Sequence, residues 1–245
     1  MPDESCFTLK VVDYVRDKLS SQTKIVLFLT LFYLDFLEEK MLTHSAHSLS
    51  YDSQETAAAV LSQAFENDPF MAYLFPDTEA RSQKLTQLFL SLIRFSLRWE
   101  GVETSPDGSG VLLWLPSKSF AWPYKAISII RSGLVGLPVS IGRSAFKRLH
   151  VHDSVCEQAL KQNAPEDFAY LWVIGVRSDC AGRGVGKKML HTALDAMRRR
   201  GHSACFLRTE NPQNVSLYEH LGFKQVLTET PPGSGIQYWL MSQDL

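Results

Sequence analysis

The chain has 245 residues and a mass of 27.7 kDa, which fits one large domain with appendages better than two equal domains. With 45% hydrophobic and 21% charged residues and a mean hydropathy of -0.09, the composition excludes global disorder and a fibrous fold. Lys+Arg 25 against Asp+Glu 26 leaves a formal charge of -1, so no basic field exists to hold a nucleic acid backbone.

The N-terminal 1–46 segment contains one apolar run, Ile25 to Leu34, closed by Glu38, Glu39 and Lys40. The run is shorter than the ~20 apolar residues of a membrane span, and no small-residue cleavage site marks it as a signal peptide. It is predicted to be an amphipathic or buried helix of an N-terminal extension, with contact at a membrane interface as the sharper alternative.

Asp52 with Glu55 resembles a helix-starting box, and Ala57, Val60, Leu61, Ala64 and Phe65 then follow helical spacing. After Asp68-Pro69 and Phe75-Pro76-Asp77, the residues Leu85, Leu88, Phe89, Leu92 and Ile93 continue the period to Trp99, and Gly101 supplies a stop. Val102 to Thr104 and Val111 to Leu115 read as strands joined by the turn Pro106 to Gly110. Residues 116–166 then break into helix-like pieces punctuated by Pro123, Gly133, Gly136, Pro138 and Gly142, which predicts a helical insertion.

Ala169 to Val176 is a continuous apolar run, expected as a strand buried on both faces. A glycine loop follows, then a helix with the stripe Val185, Met189, Ala193 and Met197, ended by Gly201. Ala204 to Leu207 is a further strand, and Asn214 stands where an N-cap would for a short helix ending at Leu221-Gly222. Phe223 to Leu227 and Ile236 to Met241 complete the strands.

Cys6, Cys156, Cys180 and Cys205 lie far apart, and the 7 histidines show no ligand spacing. No metal site or disulfide framework is expected, and a reducing, cytoplasmic setting is the default. Arg198-Arg199-Arg200 sits where a helix dipole favours cations, and Cys180 reads as a packing residue.

Chemistry concentrates in Ala181-Gly182-Arg183-Gly184-Val185-Gly186-Lys187. Glycines at a strand-to-helix turn let backbone N–H groups approach an anion closely. A Walker loop needs Gly at Ala181 and Ser or Thr at Lys188, and the dinucleotide pattern needs Gly at Lys187 or Met189, so both readings fail.

These residues resemble the GNAT N-acetyltransferases, whose loop signature is Gln/Arg-x-x-Gly-x-Gly/Ala; here Ala181 fills the first position. The resemblance continues through Leu207 to Glu210, Asn214, Tyr218 and Gly222-Phe223. It is weaker over residues 47–115, which are similar to small-molecule acetyltransferases related to puromycin resistance enzymes. The resemblance implies an α/β fold over 47–245, with a central mixed, mostly antiparallel sheet flanked by helices. It also implies acetyl-CoA as cosubstrate and transfer of the acetyl group to a primary amine of a small molecule or peptide by direct attack. A non-catalytic acyl-CoA-binding module and a protein N-terminal or lysine acetyltransferase are the alternatives, and a homodimer is compatible with each.

On that resemblance, the pyrophosphate would lie on Gly182, Arg183, Gly184, Val185, Gly186 and Lys187, near Asn214. The pantetheine arm would lie beside Ile174-Gly175-Val176. Gly175 is expected either to mark a bulge or to be a plain packing glycine. Tyr218 matches the family's general acid, against a core-facing aromatic. Glu103 is the candidate base, with Asp68 beside it, against solvated surface acids. The insertion is expected to cover the acceptor pocket, with Trp114 and Trp122 as aromatic walls.

Overall fold

A computed structural model describes residues 51–245 except Trp122. The expected 1–46 extension, the apolar run Ile25 to Leu34 and the Trp122 wall lie outside the described residues. The first described helix, α1 (Tyr51–Phe65), contains Asp52 within it. Its Ala57, Ala58, Val60 and Leu61 are buried, as the spacing requires.

The Asp68-Pro69 break starts a short helix, α2 (Pro69–Leu74). Asp68 caps it by accepting from the N–H groups of Phe70 at 3.0 Å and Met71 at 3.2 Å, and Pro69 loses no bond at the first helical position. Asp77 likewise caps α3 (Thr78–Leu97), so this helix begins a turn or more before its first apolar stripe residue. The stop after α3 differs from expectation. Glu100 takes the left-handed conformation at φ 51, and Gly101 is needed for space, since an added Cβ would lie 1.9 Å from the Trp114 carbonyl oxygen.

Six strands form one sheet in the order β1-β2-β3-β4-β6-β5. They are β1 (Val102–Thr104), β2 (Gly110–Pro116), β3 (Phe168–Val176), β4 (Ala204–Thr209), β5 (Lys224–Glu229) and β6 (Tyr238–Asp244). Only β3 and β4 run parallel among these neighbours, and the sheet is otherwise antiparallel. The parallel pairing stops at Leu171↔Leu207, so the ends of the two strands part.

The predicted insertion is helical. It contains α4 (Tyr124–Arg131), α5 (Leu137–Ser140) and the long α6 (Arg143–Asn163). Helix α7 (Val185–Arg199) buries Met189, Leu190, Ala193, Leu194 and Met197 against Leu112, Trp114, Leu171 and Leu207 on one face of the sheet. On the other face, α1, α2 and α3 pack on Val111, Leu113 and Val173, and α6 packs through Cys156, Ala159 and Leu160 near Tyr170 and Leu240. The last helix, α8 (Pro212–His220), is capped by Asn211, whose side chain accepts from the Gln213 N–H. Asn214 therefore stands inside the helix, not at its cap.

Gly175 pairs in register with Val111, and the irregularity between β2 and β3 falls where Val173 and Leu171 face consecutive β2 residues, leaving Trp172 unmatched. The bulge is thus at Trp172. A Cβ on Gly175 would come within 2.8 Å of Leu61 Cδ2 and 3.0 Å of Ala64 Cβ, so this glycine lets α1 sit against β3. Gly175→Val should lower unfolding free energy by about 1–3 kcal/mol through overpacking, measured by urea denaturation; an unchanged midpoint would show that α1 yields freely.

Candidate active site

The parted ends of β3 and β4 bound a cleft of about 120 Å³. Phe65, Asp68 and Phe70 line one side, Trp172 to Ile174 the β3 edge, and Arg208 to Glu210 with Asn214 and Tyr218 the other side. Of the residues expected from sequence, Ile174, Asn214 and Tyr218 meet here. Gly175 and Val176 continue β3 toward the glycine loop.

At that loop, Gly182 (φ +75) and Gly184 (φ +76) adopt the left-handed backbone with open space around both. An L side chain is strained in that conformation whatever the room. Gly184 is the N-cap of α7 and no side chain caps the helix. The Lys188 N–H closes the first intrahelical bond on the Gly184 carbonyl at 3.0 Å. The N–H groups of Val185, Gly186 and Lys187 come ahead of that bond and point toward an approaching anion, with the dipole behind them. Gly186 packs near Val176 and Ile174, which seats the helix start against β3. This exposed, uncapped helix start fits a pyrophosphate. The Ala181 N–H is donated to the Ser178 carbonyl at 3.2 Å, so the cradle consists of the N–H groups of Val185, Gly186 and Lys187.

Glu103 lies elsewhere. It sits half-buried on the edge strand β1, paired with Leu112, and it is not among the residues lining the cleft. Trp114 is also displaced from its expected place: it is fully buried on the α7 face, under the Arg200 guanidinium at 4.9 Å from its ring. The register that puts Leu113 on the α1 face turns Trp114 to the opposite face, away from the insertion.

The charged groups of the cleft come from segments far apart in sequence. Arg208 bonds Asp153 Oδ1 of α6 at 2.8 Å and Glu210 Oε1 at 2.6 Å. Glu210 also meets His152 Nε2 at 3.2 Å, and His152 Nδ1 meets Ser234 Oγ at 2.8 Å. His152 is fully buried between the Phe70 ring at 4.5 Å and the Tyr238 ring at 6.0 Å.

Burial alone would raise the Glu210 carboxyl pKa, but Arg208 and the His152 bond outweigh it and hold the carboxyl below its ordinary value. Asp68 moves the other way. Burial raises its pKa, the Glu210 charge adds to the rise, and the bonds from Met71 and Phe70 offset only part of it. Tyr218 is likewise pushed up by burial, with the Cys205, Glu210 and Asp68 charges adding to the rise. Its ring meets Phe223 edge-on at 5.8 Å. A phenol that holds its proton and a carboxyl with raised proton affinity therefore line one cleft, a pairing suited to proton transfer in both directions.

Asp153 and Trp172 carry no local motif, and in sequence Arg208 and Glu210 stand only as part of the strand Leu207 to Glu210, with no role of their own. The available signal was Arg208 and Glu210 at the end of an apolar strand, since charges in such positions are rarely buried unless paired. Asp153 gave none, because its partner lies beyond the next strand.

This arrangement joins a sheet splayed between β3 and β4 to a helix led by glycines. Residues 146–223 match the Acetyltransferase (GNAT) family. The chain is 38% identical over 69 residues to the probable N-acetyltransferase camello of Xenopus laevis, covering 27% of this chain and 32% of that protein. The chain thus spans about a third of that relative's length. Two solved structures align over most of the molecule: polyamine N-acetyltransferase of Drosophila melanogaster (TM-score 0.53, 15% identity, 79% of this chain and 95% of that one), and arylalkylamine N-acetyltransferase 2 of Aedes aegypti (TM-score 0.51, 15% identity, 81% and 97%). They share its fold, and the likeness to the GNAT acetyltransferases in sequence falls within residues 146–223.

Two outcomes test this geometry. CoA should raise the melting temperature by preferential binding to the folded chain, and Gly184→Val should remove that shift while leaving a folded protein; a retained shift would move the CoA site away from this loop. Arg208→Met should cost about 3–5 kcal/mol by stranding buried carboxylates. Because the folded Glu210 pKa is depressed, its contribution is present above the ordinary 4.5 and lost as pH falls through the lower folded value. Denaturation midpoints of the wild type should therefore fall on acidification through that range, and Arg208→Met should flatten the slope.

Proposed function

We propose that this protein transfers the acetyl group of acetyl-CoA to a primary amine of a small molecule, by direct attack within the cleft between β3 and β4. The observation that carries the reading is the meeting of Asp68 and Tyr218 in that cleft, beside a helix start free of side-chain caps.

Acetyl-CoA, when bound, supplies the acetyl group as an activated thioester. The N–H groups of Val185, Gly186 and Lys187 hold its phosphates, and the unpaired edge of β3 from Trp172 onward orients its amide-bearing arm as an added strand. An alkylamine has a pKa near ~10 and reaches the cleft mostly protonated. Asp68 takes that proton, directly or through water, and frees the nitrogen lone pair to attack the carbonyl carbon. The new C–N bond forms, the C–S bond breaks, and Tyr218 donates its phenolic proton to the leaving sulfur, while the attacking nitrogen releases its second proton through water, which restores the phenol.

Asp68 replaces Glu103 as the proposed base because it lines the cleft and its raised pKa makes it the better proton acceptor. Glu210 is less suited: Arg208 and His152 already occupy its oxygen.

A thiol-release screen with acetyl-CoA against polyamines, arylalkylamines, amino acids and peptides tests the reaction; no turnover with any amine, in a protein that binds CoA, would favour a non-catalytic acyl-CoA module. Tyr218→Phe should lower kcat by roughly 10²–10⁴ with CoA binding little changed. Asp68→Asn should cause a comparable loss while keeping the α2 cap, since Asn caps as well as Asp. Its melting temperature at neutral pH should not fall. The folded Asp68 pKa is raised, so ionisation costs stability as pH climbs from the ordinary value through the folded one, and Asn removes that cost.

A further inference from the structure

A second cavity of about 400 Å³ adjoins the cleft on the insertion side. Leu92, Leu149, Asp153, Tyr170, Trp172 and Arg208 line both spaces, so these residues form a shared boundary. Beyond it the wall is mainly apolar, with Phe120, Ile129, Leu134, Leu137 and Phe146 among its residues.

Charge is distributed unequally along this path. At the cleft end, Asp68, Asp153 and Glu210 lie around one guanidinium, Arg208, with Glu210 also bonded to the His152 ring. That excess of carboxyl groups attracts an ammonium. In the outer cavity, beyond the shared Asp153, the carboxylate among the described residues is Glu157, which already receives hydrogen bonds from both Lys125 and Lys161. The second ammonium of a diamine would meet a carboxylate already neutralised. Ser119 adds an independent observation. It lines the outer cavity and is 2% exposed, yet its Oγ has no hydrogen-bond partner among the described residues. A buried hydroxyl left without a partner costs free energy that a ligand polar group can recover.

Resting on the acetyl-transfer reading, we infer that the outer cavity holds the acceptor's body, and that the acceptor is a monoamine with an apolar aryl or alkyl frame bearing a hydroxyl that reaches Ser119. The amino group then stands at the Asp153–Arg208 boundary, facing the cleft, and the insertion acts as the specificity-determining wall. Size and chemistry agree: the space is mostly apolar with a few polar groups, as in sites that orient small organic molecules.

The test measures binding of tyramine, phenethylamine and putrescine to the full-length protein by calorimetry without acetyl-CoA, alongside thiol release with it. Tyramine should bind more tightly than phenethylamine, and both more tightly than putrescine. Ser119→Ala should weaken tyramine by about tenfold, the equivalent of one hydrogen bond, leave phenethylamine unchanged and not lower the melting temperature. Ile129→Trp should fill the cavity and weaken both aryl amines. Equal binding of tyramine and phenethylamine, tighter putrescine, or no effect of Ser119→Ala would overturn the inference. Putrescine turnover without tyramine binding would reject this pocket assignment and leave acetyl transfer standing. The expected binding pattern with no thiol release from any amine would support the pocket and reject the acetyl-transfer reading.

Discussion

A guanidinium buried where two parallel strands part sets the terms for the rest of this structure. Arg208 lies near the end of β4, just past the last pairing with β3, and its side chain is only 15% exposed. A charge so placed must be paired or it destabilises the fold by several kcal/mol. One partner, Glu210, comes from the same segment; the other, Asp153, comes from α6 of the insertion. His152, the neighbour of Asp153, extends the network to Ser234 on the segment between β5 and β6. The insertion is thereby tied to the functional end of the sheet by polar bonds as well as by its apolar face. An element that looks like a peripheral cover in sequence contributes to the integrity of the cleft.

The glycines around the site answer two different physical demands. Gly182 and Gly184 have empty space around them and a left-handed backbone, so their constraint is conformational: they turn the chain from β3 into α7 and leave the helix start bare. Gly175 has an ordinary backbone, and its constraint is steric, since α1 occupies the room a side chain would need. The first kind shapes the anion cradle. The second brings α1, and with it the Phe65-to-Asp68 segment, against the strand that borders the cleft. Loop and base are therefore positioned by glycines acting through unrelated mechanisms.

Much of this fold was legible because the relevant signals are local. Apolar runs such as Ala169 to Val176, the Met189-Ala193-Met197 stripe and the Gly201 stop depend on period and turn chemistry within a few residues, and all three formed as expected. The cleft was less legible because it is assembled from contacts between distant segments. Glu103 looked equivalent to Asp68 as an acid near a strand or helix end, and only the sheet order separates them, leaving one on an edge strand and the other at the cleft. Trp114 failed as a pocket wall for a related reason: alternation in β2 sent it to the α7 face, and nothing near it in sequence states which face the insertion will cover. The cap of α8 was missed by one turn because Asn211 and Asn214 are both competent caps, and Pro212 settles the choice by fitting the first helical position after Asn211.

The carboxyl groups of the cleft show how one residue type is given separate tasks by its surroundings. Glu210 is surrounded by donors, so its charge is stabilised and its oxygen is committed to structure. Asp68 accepts from two backbone N–H groups, while burial and the nearby Glu210 charge oppose its ionisation. The same negative charge that completes the Arg208 network thus raises the proton affinity of Asp68. Removing Glu210 would affect the proposed base in a defined direction, since loss of its charge relieves part of the opposition and lets the Asp68 pKa fall toward its ordinary value. Burial is the larger cause of the raised proton affinity of Asp68, and Glu210 adds to it, so one carboxylate that need not touch the substrate contributes both to the stability of the strand end and to the basicity of the proposed proton acceptor.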